Sequence, residues 1–216
     1  MKNNNKIFLG EFIASCFLVM VIVGSGIMAE NLTNDNAVRL LANTIATGAG
    51  LFVLITAFAN ISGAHLNPFV SLSMYLTKRI KGKELLTFIP AQILGCLLGV
   101  MLANVFFEHS IIELSTKNRD GFHIFLSEIV ATFGLIFIIF ATLKDGKTTV
   151  AACVATYISA GYWFTSSTSF ANPAVAIART FTDSFTGINY LNTPTYIFAE
   201  LLGAIAAVYI IKRLIK

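Results

Sequence analysis

Charge is scarce in this chain. Only 12% of its 216 residues are Asp, Glu, Lys or Arg, about half the ~25% of an ordinary soluble domain. With 56% hydrophobic residues and a mean hydropathy of +0.77, that scarcity argues against a soluble domain and for a polytopic membrane protein. Cysteine is nearly absent too. Cys16, Cys96 and Cys153 stand singly inside apolar runs, so neither a disulfide framework nor a metal site follows from them. His65, His109 and His123 are scattered and do not complete the acid, base or nucleophile set of an enzyme. The formal charge of +4 does not come from a basic stripe of the kind that grips nucleic acid. The cations flank apolar segments, as topology signals do.

Those segments number six: 7–28, 38–60, 85–107, 123–143, 149–168 and 193–214. Each is long enough to span a ~30 Å hydrocarbon layer. The first has several like it downstream, so it reads as a span and not as a cleavable signal. Lys2, Lys6, Lys78, Arg79, Lys81, Lys83, Lys144, Lys147, Lys212, Arg213 and Lys216 fall on one side of such an arrangement. Arg39, Lys117 and Arg119 fall on the other. Positive residues collect inside, which predicts cytoplasmic termini and a multi-pass protein of the plasma (inner) membrane.

The chain also repeats itself. "GEFIASCFLVMVI" from Gly10 pairs with "SEIVATFGLIFII" from Ser127, "HLNPFV" from His65 with "FANPAV" from Phe170, and "AQILGCLLG" from Ala91 with "AELLGAIAA" from Ala199. Two halves, about 1–110 and 120–216, thus share one order of landmarks within a single domain, 1–216. Three spans per half is an odd number, so the second half enters from the opposite face as an inverted repeat, a construction of transport proteins.

Two of the four prolines follow asparagine. About ten residues separate Asn67-Pro68 from the Lys78–Lys83 cluster, and Asn172 is followed by a similarly short stretch. At 1.5 Å per residue such helices reach only halfway across a bilayer. Asn is a strong N-cap and Pro belongs at the first helical position. The spacing predicts two re-entrant half-helices that begin at mid-membrane with their positive ends facing one point. The asparagine amides can then donate into a lumen, beside loop carbonyls of Ser62–Leu66 and Thr168–Ala171. Irregular backbone at that depth is tolerated where protein or a water-filled cavity satisfies it.

"SGAHLNPFVSL" and "ANPAVAIAR", with the spacing around them, resemble the aquaporin (major intrinsic protein) family over essentially the whole chain. The resemblance implies an all-α right-handed bundle of six transmembrane helices plus two half-helices, one pore per subunit, and a homotetramer in the lipid bilayer. It implies passive movement of water or small uncharged solutes, with no cofactor, no metal and no catalysis. Glu11 and Glu128, intramembrane carboxylates and therefore functional candidates, take from it a scaffold role as acceptors for the re-entrant loops. Proton coupling is the competing role. His65 is expected to orient its loop. Glu200 stands where the first half has Gln92.

Two departures from the family pattern bear on selectivity. Phe69 stands where the family has Ala and where the second half has Ala174; it is expected to fill space behind the pore. Val175 stands where water-selective members have Arg. Counting as the family does, the other filter positions fall at Thr47, Ala160 and Ser169, which predicts a wide, uncharged mouth. Arg179, one turn beyond Val175, is expected either in the outer vestibule or at the surface, paired with Asp183 or capping carbonyls. The expected function is a channel for glycerol-like polyols, neutral metalloid acids such as arsenous acid, and water. A water-selective channel is the first alternative, and a proton-coupled secondary transporter a distant one.

Overall fold

The computed structural model describes residues 4–214; Lys2 and Lys216, which entered the orientation count, lie outside the described residues. Six long helices form: α1 (Asn4–Leu32), α2 (Asn36–Phe58), α4 (Gly82–Phe106), α5 (Phe122–Thr142), α6 (Lys147–Phe164) and α8 (Thr193–Leu214). Two short ones, α3 (Pro68–Leu76) and α7 (Pro173–Ala178), start at the two Asn-Pro pairs. Helices α1, α2, α4, α5 and α8 are long and apolar enough to cross a membrane.

Helix ends follow local chemistry. Asp35 caps α2 by accepting from the Ala37 and Val38 amides. The fifth apolar run was expected to continue to residue 168, but α6 stops at Phe164. Beyond it Thr168, Ser169 and Ala171 adopt left-handed backbone conformations, which a right-handed helix cannot accommodate. Helix α7 is also shorter than expected, tightening into a 3-10 turn over Arg179–Phe181.

Packing obeys the exchange of one half for the other. The most extensive pairings are α1 with α4 and α5 with α8; α1 with α2 matches α5 with α6, α3 with α4 matches α7 with α8, and α4 with α7 matches α8 with α3. Small residues bring the main pairs close. A Cβ added at Gly95 would run into the Phe12 carbonyl oxygen of α1, and one added at Gly203 into the Ile129 carbonyl of α5. In a membrane, where apolar burial between helices gains little, such close approach is a principal source of association.

The pattern of burial is inverted relative to a soluble protein. Leu9, Ile13 and Phe17 of α1 and Leu94 of α4 are exposed, whereas Glu11, Gln92, Glu128 and Glu200 are fully buried. An apolar exterior suits hydrocarbon, and polar groups are retained only where other protein groups satisfy them. Gly95→Val is expected to lower stability by roughly 1–3 kcal/mol through overpacking. Thermal unfolding of the detergent-solubilised protein measures this, with Leu94→Val, on the exposed face, expected to stay near the parent.

Candidate permeation pathway

The centre of the site is built by the two asparagines. Asn67 caps α3 by accepting the Phe69 amide at 2.8 Å, and its Nδ2 donates to the Ala171 carbonyl of the other half at 2.6 Å. Asn172 caps α7 by accepting the Ala174 amide at 3.1 Å, and its Nδ2 donates to the Leu66 carbonyl at 2.7 Å. Each amide group carries two N–H donors. One is used to tie the opposite loop, so a single donor per asparagine remains for the lumen, not the whole amide group. Pro68 and Pro173 occupy the first helical positions, where a missing N–H costs nothing.

The loops entering these helices are strained in matching places. Gly63, Ala64 and Leu66 have positive φ, and so do their counterparts Thr168, Ser169 and Ala171. Left-handed backbone at a residue with a Cβ costs on the order of 1–2 kcal/mol, so the loops need external support. Glu11 supplies it in the first half by accepting from Ser62 Oγ, the His65 and Leu66 amides, and Gln92 Nε2. Glu128 accepts the Phe170 and Ala171 amides at 2.9 and 2.8 Å, and Glu200 accepts the Asn172 amide at 2.9 Å. His65 Nδ1 lies 3.0 Å from Ser71 Oγ, and its ring stacks on Phe88 at 4.1 Å.

A cavity of about 390 Å³ runs past both asparagines. Its wall is made of stripes four residues apart: Thr47, Leu51 and Ile55 on α2 with Ala59 at its C-cap, and Val150, Val154, Ile158 and Tyr162 on α6. Leu18 and Ile22 of α1 and Leu135 and Ile139 of α5 complete an aliphatic lining. Backbone and side chains of the two loops form the polar side. Arg79 and Lys147 stand at one mouth and Arg179 at the other, and no Asp or Glu lines the cavity among the described residues.

The four expected filter residues divide. Thr47, Ser169 and Val175 line the cavity. Ala160 does not: it is exposed on the outside of α6. Two positions along a helix of 3.6 residues per turn point to opposite sides, so the stripe passes through Ile158 and Tyr162 instead. Tyr162, which sequence reasoning missed, is 4% exposed and donates its hydroxyl to Thr47 Oγ1 at 3.1 Å. The Ser169 side chain lies against Gly161 of α6, where a Cβ would collide with it.

Arg179 is neither paired with Asp183 nor at the surface. It is 3% exposed, its Nε donates to the Thr186 carbonyl, and its guanidinium lies 3.4 Å from the centroid of the Phe170 ring. Asp183 accepts from the Thr116 amide and hydroxyl instead. The end of the cavity at Arg179 is therefore not the uncharged mouth that four small side chains imply. Phe69 does not line the cavity and packs half-buried against the core, while Ala174 is buried.

A family model, Major intrinsic protein, matches residues 1–164. The chain belongs to the major intrinsic protein family. It is 45% identical over 208 residues to the aquaglyceroporin AqpS of Rhizobium meliloti (strain 1021), covering 96% of this chain and 89% of that protein. Aquaporin-4 of Rattus norvegicus is 28% identical over 211 residues, and the matched region is 94% of this chain but 65% of the rat protein. The solved aquaglyceroporin of Plasmodium falciparum superposes with a TM-score of 0.79 at 20% identity, covering 99% of this chain and 97% of that one. Family membership and the apolar helices make the chain an integral membrane protein.

Support of the loops by carboxylates gives a sharp expectation. Glu11→Gln turns an acceptor toward the Leu66 or His65 amide into a donor. A buried donor left facing another donor costs about 1–3 kcal/mol, so this variant is expected to unfold at a lower temperature in detergent. Glu108→Gln, at an exposed position, is expected to stay within about 0.5 kcal/mol of the parent.

Proposed function

We propose that the chain is a passive channel for small uncharged solutes, namely glycerol-like polyols, neutral metalloid acids such as arsenous acid, and water. The single observation that carries this reading is the cavity that runs between the two mouths past Asn67 and Asn172. Its aliphatic wall and polar loop side suit a molecule that exchanges hydrogen bonds to water for hydrogen bonds to the protein. The helix N-termini at Asn67 and Asn172 are positive ends, unfavourable to cations and protons, as in aquaporin-type selectivity. The similarity to AqpS, which bears the name aquaglyceroporin, supports a solute pathway as well as a water pathway.

Six spans follow in this reading, because α6, of 18 residues, is about 27 Å long at 1.5 Å per residue and packs along α2. Six spans leave both termini on one side, and the excess of basic residues on that side supports a cytoplasmic assignment, with Arg79 and Lys147 at the cytoplasmic mouth of a plasma-membrane protein. The subunit assembles as a homotetramer with one pore each. Glu11, Glu128 and His65 act as loop supports and not as proton carriers, since the carboxylates spend their oxygens on amides of the re-entrant loops.

A water-only channel is the second reading, and the Tyr162–Thr47 hydrogen bond favours it by drawing an aromatic side chain to the outer constriction. Stopped-flow light scattering on proteoliposomes separates the two. The parent is expected to pass water, glycerol and arsenous acid. Val175→Arg, which puts a long cation beside Arg179, is expected to cut both solutes about tenfold or more while reducing water less. A parent that passes water and neither solute makes the water-only reading the correct one.

A further inference from the structure

Of the three cations that line the cavity, Arg79 and Lys147 are exposed at their mouth. Arg179 is different: it is buried and fixed on two sides. Its Nε is occupied by the Thr186 carbonyl, and its plane rests on Phe170, whose ring also meets Tyr196 with centroids 4.8 Å apart. Loop 182–192, which carries Thr186, is held in turn by the connection between α4 and α5. Arg119 of that connection donates to the Gly187 and Phe185 carbonyls, and Asn189 donates its amide to the Lys117 carbonyl. The guanidinium is therefore pre-set and does not sweep the vestibule.

Its two terminal amino groups, by contrast, make no hydrogen bond to any described residue. Donors left without a partner once water is displaced are costly, and the cavity that Arg179 lines is where a partner reaches them. With Nε taken, the free edge of the guanidinium is the pair of terminal nitrogens. Such an edge matches two oxygens carried on one atom or on adjacent atoms. Next to it the hydroxyls of Tyr162 and Thr47 are bonded to each other, and Val175 offers only methyl groups.

We propose that Arg179 is a specificity-determining residue of the outer constriction, its terminal amino groups binding two neighbouring oxygens of a passing neutral solute in place of water. The class it favours is a small polyol or hydroxy acid, over a molecule of similar size with one acceptor oxygen, such as urea. The inference rests on the pathway reading above and goes beyond it by assigning the discrimination to one side chain.

Glycerol and urea uptake by proteoliposomes carrying the purified parent, Arg179→Lys, Arg179→Gln or Arg179→Ala tests it, with water flux as the common reference. The Lys variant keeps the charge but not the paired edge, and is expected to lower the glycerol-to-urea ratio at least about fivefold, the scale of one lost charge-assisted hydrogen bond. The Gln variant is expected to do the same. The Ala variant also releases Thr186; if it fails to fold, the Lys and Gln variants decide. Parent-like ratios in both Lys and Gln, at parent-like water flux, overturn the proposal. A parent that carries water but neither solute overturns the pathway reading and this inference with it.

Discussion

Everything at the centre of this protein hangs on a reciprocal pair of hydrogen bonds. Asn67 of one half donates to Ala171 of the other, and Asn172 donates back to Leu66. Each asparagine also caps its own short helix. One side chain thereby fixes where a helix begins, holds it against its mate, and leaves one donor for the lumen. Neither short helix is long enough to be stable alone. Their positions come from this brace and from packing against α4 and α8.

The brace depends on loops that the backbone alone would not adopt. Left-handed conformations at Ala64, Leu66, Ser169 and Ala171 turn amides toward Glu11, Glu128 and Glu200. A buried carboxylate costs several kcal/mol unless it is met by donors, and an irregular loop at membrane depth is as costly unless its amides are met by acceptors. Each solves the problem of the other. The two halves do so with different chemistry: Gln92 donates to Glu11 and to Ser71 in the first, whereas Glu200 accepts the Asn172 amide in the second.

Much of this was legible in the sequence, because the constraints that shape it are strong and local. Apolar length marks helices. Asn-Pro before a half-length run marks a capped short helix. Paired Glu residues in register mark the supports. The end of the cavity near Tyr162 was less legible. Counting back from Asn172 along a chain that leaves α6 and winds through a left-handed loop loses the helical phase, and it landed on Ala160, on the outside. The signal that finds Tyr162 is the four-residue stripe Val150, Val154, Ile158, Tyr162, which mirrors Thr47, Leu51 and Ile55 on α2 and Ala59 at its C-cap. Arg179 was ambiguous for another reason. Its burial is set by Phe170 and Thr186, which irregular loops fold back onto it, and by the distant connection carrying Arg119, contacts that no helical periodicity encodes.

The central claim is that solutes cross by passive permeation through one fixed pathway, with the buried carboxylates serving as scaffold. The most direct measurement is the initial rate of glycerol entry into proteoliposomes over a wide concentration range, with and without an imposed proton gradient. The account predicts a rate that rises linearly with concentration and does not respond to the gradient. Saturation at low concentration together with acceleration by a proton gradient would contradict it, and would make Glu11, Glu128 and Glu200 the first residues to examine as proton sites.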